Sequence, residues 1–140
     1  MLGGVEIPYL FGLAGHSDAD ALLHALADAL LGAAGLGDIG TQFPDTDPRY
    51  KGISSRILLQ GVRGKVEAKG YQVVNVDATV IAEQPRISPH VEGMRSNISQ
   101  ILGLEPDAVG IKATSMEGCG AIGKGEGIAV QAVALLMADR

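Results

Sequence analysis

The chain is poor in cysteine, in long apolar runs and in clustered basic charge, and each shortage removes a class of protein. Its single cysteine, Cys119, cannot form an internal disulfide framework or a clustered-thiolate zinc site. Any metal would therefore be held by histidine and carboxylate. As a bland alternative, Cys119 is a small residue in a glycine-rich turn. Nearly half of the 140 residues are apolar, yet no uninterrupted apolar run reaches the roughly 20 residues a membrane span requires. No basic, apolar, small-residue signal opens the chain, so the expectation is a soluble intracellular protein. Lysine and arginine number 11 against 16 acidic residues, a formal net charge of −5. Without a basic cluster the chain lacks the surface that neutralises nucleic-acid phosphates, whereas a small anionic substrate in a local pocket stays open. Internal repeats, low-complexity tracts and linkers are missing too, so residues 1–140 read as one domain with one core.

The patterning is that of an alternating α/β chain. Residues 2–9 read as a short strand, with Gly3 and Gly4 at its start and Pro8 near its end. Residues 17–36 form an amphipathic helix: Ser17 or Asp18 caps it, Leu22, Leu26, Ala29, Leu30 and Ala33 make its apolar stripe, and Gly35 and Gly37 end it. A Gly/Pro/Asp loop spans 37–48, a second helix with two interior glycines spans 54–69, and a third helix spans 89–102. Strands are expected at 73–82, 109–115 and 127–137, the last apolar on both alternating faces. This order predicts an α/β layer: a mainly four-stranded mixed sheet with helices on one face. The other face needs a cover, and a partner subunit is the simplest one.

Three segments carry candidate chemistry. In the first, Gly15-His16-Ser17-Asp18-Ala19-Asp20 leads into a helix bearing His24. A helix N-terminus offers unpaired N–H groups to a phosphate, and Asp20 or Asp28 lies at helical spacing to fix the second ring nitrogen of a ligating His24. The bland alternatives are a core histidine and capping acids. In the second, Asp38, Ile39, Gly40, Phe43, Pro44, Asp45, Thr46 and Asp47 make a loop whose carboxylates can bind a polyol's hydroxyls, with Phe43 packed beneath, or simply form Asx turns. In the third, Lys112-Ala113-Thr114-Ser115-Met116-Glu117 ends a strand and runs into glycines. Its hydroxyls and carboxylate can hold phosphate oxygens and an oxygen-preferring cation, while Lys124 and Glu126 read as a solvated pair.

In order and spelling, His-Ser-Asp-x-Asp-x-x-x-His, Gly-Asp-Ile-Gly-x-x-Phe-Pro-Asp-Thr-Asp-Pro and Lys-Ala-Thr-x-x-Glu with Gly-x-Gly-Glu-Gly-Ile-Ala downstream resemble the 2-C-methyl-D-erythritol 2,4-cyclodiphosphate synthases, from Gly3 onward. The resemblance implies a cytoplasmic bacterial enzyme, or a plastid one, of non-mevalonate isoprenoid biosynthesis. It implies a homotrimer with its sites between subunits and a cytidine diphosphate substrate, and a sheet face buried in that trimer. It also implies zinc at His24 and magnesium or manganese at Glu117. His16 and Ser115 would stabilise the transition state, with Ser17 also on the phosphates. Asp38, Ile39, Gly40 and the Phe43, Pro44, Asp45, Thr46, Asp47 stretch would cradle the methylerythritol. Ala82, Glu83, Gln84, Pro85, Arg86, Ile87 and Ser88, with Ala113 and Thr114, would frame the cytidine, and Met116, Ala121 and Lys124 would complete the substrate contacts.

Four departures stand out. Ser115 replaces a common threonine, Arg86 a frequent lysine, and Ala121 a common aromatic. Finally, the family's opening strand carries Gly-x-Gly-x-Asp-x-His, whose aspartate and histidine complete the zinc site; this chain does not spell it, and His90 sits in a different context. The expectation is therefore a chain truncated at that strand and slowed by it. The competing expectation is a non-catalytic, nucleotide-binding trimer of the same fold.

Overall fold

A computed structural model of the chain describes residues 1–7, 20–83, 86–125 and 127–139. Helix α1 (Ala21–Ala33) starts at Asp20, whose carboxylate accepts from Leu23 N–H and caps the first turn. The capping residues expected one turn earlier, Ser17 and Asp18, lie outside the described residues. Of the expected stripe, Leu22, Leu26 and Leu30 are inaccessible or nearly so, joined by Leu23, Ala27 and Leu31, whereas Ala29 is half-buried and Ala33 exposed, because the buried face turns toward Leu23, Ala27 and Leu31.

Within the loop expected at 37–48, Ile39–Gln42 form one helical turn, α2, capped by Asp38. Helix α3 (Ser55–Ala68) is capped by Ser54 and buries Leu58, Leu59, Val62 and Val66. One of its interior glycines has a packing reason: a Cβ on Gly61 would stand 3.2 Å from the Phe43 ring, so glycine lets that ring lie against the helix. Strand β1 (Tyr71–Ile81) follows, then a 3-10 turn at Ser88–His90 and helix α4 (Val91–Leu102), then β2 (Val109–Thr114), the short α5 (Gly120–Gly123) and β3 (Ala129–Ala138).

The described residues form a three-stranded mixed sheet of order β2-β1-β3, with β1 parallel to β2 and antiparallel to β3. Of the four strands expected, the one placed at 2–9 is not a sheet strand over its described residues 2–7, and the reason lies in the glycines at the start. Gly3 and Gly4 both have positive φ, 57° and 74°, and fold the chain back so that Leu2 and Val5 exchange N–H···O bonds of 2.8 and 2.9 Å. Residues 2–5 are thus a tight turn with one isolated bridge. Asp20 anchors it by accepting from the N–H groups of Gly3 and Gly4, at 2.9 and 2.8 Å.

The register sorts side chains by face. Val76, Ala78 and Val80 of β1 align with Ala134, Ala132 and Val130 of β3, and Val109 and Ile111 of β2 share that side. Helices α1, α3 and α4 pack there, as expected. The opposite side carries Asp77, Thr79 and Lys112 in its polar half and Val133, Leu135 and Met137 in its apolar half, the last three 67%, 55% and 61% exposed. Asp77 and Lys112 form an ion pair across β1 and β2.

Candidate active site

The carboxyl ends of the parallel pair β1 and β2 bring two candidate segments together. Ala82 N–H donates to Thr114 O at 3.0 Å, extending the ladder by one bond. Beyond it the Glu83 carboxylate accepts from Met116 N–H at 2.6 Å. The proposed cytidine strip and the Ala113-Thr114-Ser115-Met116 run are therefore stitched side by side, at the strand ends where α/β sheets leave a crevice. Ala82 and Ile87 are buried, Arg86 and Ser88 exposed. Gln84 and Pro85 lie outside the described residues.

Past β2 the chain makes a tight turn. Ser115 Oγ accepts from Glu117 N–H at 3.1 Å, and Glu117 has a left-handed φ of 50°, unusual for a residue with a Cβ. Ser115, Met116, Glu117, Cys119, Ala121 and Lys124 are all exposed. Lys112, the first residue of the motif, points to Asp77 rather than to this turn.

The second candidate segment is a built loop. Asp38 accepts from both the N–H and the Oγ of Thr41, each at 2.8 Å. These bonds, the backbone one above all, hold its carboxyl below the ordinary aspartate value. Asp47 is lowered by the side-chain and backbone bonds from Arg49. Phe43 is buried beneath, with its ring centroid 5.1 Å from that of Tyr50 at an interplanar angle of 74° and Lys65 Nζ 5.2 Å from its centre. Pro44 is half-buried, and Asp45 and Thr46 are exposed. Asp38 and Asp47 thus form the local turns that the sequence offered for them, while Ile39 and Gly40 sit on the helical turn that Asp38 caps.

His24 lies on α1, half-buried, and its surroundings differ from the expectation. Neither Asp20 nor Asp28 bonds its ring: Asp20 is committed to the Gly3, Gly4 and Leu23 N–H groups, and Asp28 accepts from Ile39 N–H at 2.9 Å. Ser55, the first residue of α3, pairs with it instead, Oγ to Nε2 at 3.0 Å. Sequence reasoning missed this residue, because the only local signal is a second serine beside the Ser54 cap. His16 and Ser17 lie outside the described residues, so their relation to His24 is not described. His90 precedes α4, on another element.

The two residues expected to hold cations, His24 and Glu117, each stand apart from any cluster of ligating side chains among the described residues. The Nδ1 atom of His24 has no hydrogen-bond partner among the described residues, which suits a single imidazole donor. Glu117 is an exposed carboxylate with no ion-pair partner among them, which suits a single oxygen donor. No three histidine, cysteine, aspartate or glutamate residues converge among the described residues.

A mixed sheet covered by helices on one face, with a stitched edge at the carboxyl ends of β1 and β2, places the chain among the small α/β proteins whose ligands lie at strand ends. The chain belongs to the YgbB family, whose model matches residues 1–137. It is 61% identical over 136 residues to the 2-C-methyl-D-erythritol 2,4-cyclodiphosphate synthase of Pseudomonas putida (strain W619), covering 97% of this chain and 87% of the relative. Its fold matches the bifunctional IspDF of Campylobacter jejuni with a TM-score of 0.91 and 43% identity, over 99% of this chain and 37% of that one. The CDP complex of IspF from Plasmodium falciparum aligns with a TM-score of 0.84 and 35% identity, over 100% of this chain and 84% of that one.

Proposed function

We propose that this chain is a phosphorus-oxygen lyase that converts 4-diphosphocytidyl-2-C-methyl-D-erythritol 2-phosphate into 2-C-methyl-D-erythritol 2,4-cyclodiphosphate, releasing CMP. The observation that carries this reading is the 61% identity to the Pseudomonas synthase over 97% of the chain. In the reaction an oxygen of the 2-phosphate attacks the β-phosphorus of the cytidine diphosphate group in line. A P–O bond forms there, and the bond from that phosphorus to the oxygen bridging to the α-phosphate breaks, so CMP leaves with the electron pair. No side-chain nucleophile is needed, and the protein's work is positioning and charge stabilisation.

Each group has an assigned part. The Asp38, Ile39 and Gly40 turn and the loop over Phe43 hold the methylerythritol, and the strip from Ala82 to Ser88 with Ala113 and Thr114 holds the cytidine. His16 and Ser115 stabilise charge on the transferring phosphorus, and Ser17 binds the phosphates. His24 is one ligand for zinc and Glu117 one for magnesium or manganese, and such cations, when bound, offset the negative charge gathered on the diphosphate. The site lies between subunits of a homotrimer in the bacterial cytoplasm. The exposed row of Val133, Leu135 and Met137 supports the assembly, since such a patch on an isolated chain is normally covered. No helix among the described residues is long and apolar enough to cross a membrane.

The test is genetic. In a bacterium whose own cyclodiphosphate synthase is repressed, expression of this chain is expected to restore growth. A soluble, abundant chain that leaves growth arrested would count against the assignment.

A further inference from the structure

Ser55 is 2% exposed, yet its hydroxyl stands 3.0 Å from the ring of His24, thirty-one positions earlier in the chain. The contact joins the N-terminus of α3 to α1, two helices that pack against each other. Capping does not account for it. Ser54, the preceding residue, caps α3 by accepting from Ile57 N–H at 3.1 Å. Helix initiation leaves the Ser55–His24 contact unexplained.

A neutral imidazole carries one proton, and the nitrogen that lacks it is the electron-pair donor. Which nitrogen that is depends on the hydrogen bond the other one makes. Here Nε2 faces a hydroxyl and Nδ1 has no partner among the described residues. We infer that Ser55 is the positioning residue of His24: its Oγ accepts the Nε2–H, fixes the ring plane and the tautomer, and leaves the Nδ1 lone pair to face a cation. The inference rests on the reading of His24 as a cation ligand. It replaces the two carboxylates at helical spacing, both committed to backbone N–H groups, with a buried serine from a different helix.

The experiment uses the full chain with zinc ions alone and three forms: wild type, S55A and S54A. Ring 15N chemical shifts of His24, measured without metal at a pH where the ring is neutral and assigned with H24N, report the tautomer directly. Zinc affinity is read by competition with a chromophoric chelator. The expected wild-type ring is protonated at Nε2, and S55A lets the two tautomers mix. Zinc binding should weaken about 10- to 100-fold in S55A, the usual cost of losing an outer partner. S54A, which removes a neighbouring hydroxyl and a true cap, should lower the melting temperature but leave both readouts unchanged.

A wild-type ring protonated at Nδ1 would overturn the inference. So would S55A with wild-type shifts and affinity, or equal losses of affinity in S54A and S55A. If the wild type binds no zinc, the cation reading of His24 fails on its own, and the ring shifts alone then decide whether Ser55 holds the imidazole.

Discussion

Replacing Leu135 with glutamate on the outer face of β3 should dissociate the proposed homotrimer while leaving the protomer folded. Leu135 is 55% exposed in the single chain, between Val133 at 67% and Met137 at 61%. Full burial of such a side chain contributes about 1.5–3 kcal/mol, so covering the exposed half of Leu135 contributes about 1–1.5 kcal/mol per protomer. Around a threefold axis that loss is felt three times. To it is added the cost of desolvating three carboxylates, several kcal/mol each when unpaired. The sum, on the order of 10 kcal/mol or more, is comparable to the free energy of a tight association. In the isolated protomer the same substitution meets water, where surface changes stay within about 0.5 kcal/mol. Sedimentation velocity at micromolar protein should therefore show a trimer for the wild type and a monomer for L135E, with matching circular dichroism. An L135E protein that sediments as the wild-type oligomer, or a monomeric wild type, would show that this row of β3 is not a subunit interface.

Other outcomes follow from the site. Calorimetry should detect CMP or CDP binding that UMP cannot match, because Ala82 and Glu83, which open the proposed cytidine strip, are bonded to Thr114 and Met116 at the strand ends; equal affinity for both bases would show that this edge does not read cytosine. S115A should lower kcat about 100- to 1,000-fold while S115T stays near wild type, as expected for one lost transition-state hydroxyl. The carboxyl of Asp38, depressed by its bonds from Thr41, should titrate by NMR below the ordinary 3.8. Its folded-state advantage is therefore complete above that value and is lost as the pH falls through the depressed one. T41V should reverse only the smaller part of the depression, because the larger part comes from the Thr41 backbone N–H, which the variant keeps.

Much of this architecture is legible in the residues. The stripe of α1, the β-branched run of β1 and the two-faced apolar pattern of β3 each appear where periodicity puts them, since burial on one helix face or strand side is a local rule. The exposed row on β3 is likewise visible in the sequence as an alternation with no partner. The turn at Gly3-Gly4 was misread as a strand because its reversal depends on two left-handed glycines held by Asp20, a contact seventeen positions away. In the loop at 37–48, Asx geometry won over an open carboxylate array: Thr41 and Arg49 lie close enough in sequence to satisfy Asp38 and Asp47 at once. The pairing of His24 with Ser55 was not legible at all. Helical spacing favours Asp20 and Asp28, but both accept from backbone N–H groups elsewhere, and only the packing of α1 on α3 brings Ser55 to the ring.

Ring closure with loss of CMP is the reaction proposed for this chain, and product analysis reads it out. Purified protein incubated with 4-diphosphocytidyl-2-C-methyl-D-erythritol 2-phosphate and divalent cations should, by 31P NMR, convert the linear diphosphate and the monophosphate signals into those of the cyclic diphosphate, with one CMP released per ring closed. Unchanged substrate, or CMP released with the 2-phosphate signal intact and no cyclic product, would contradict it.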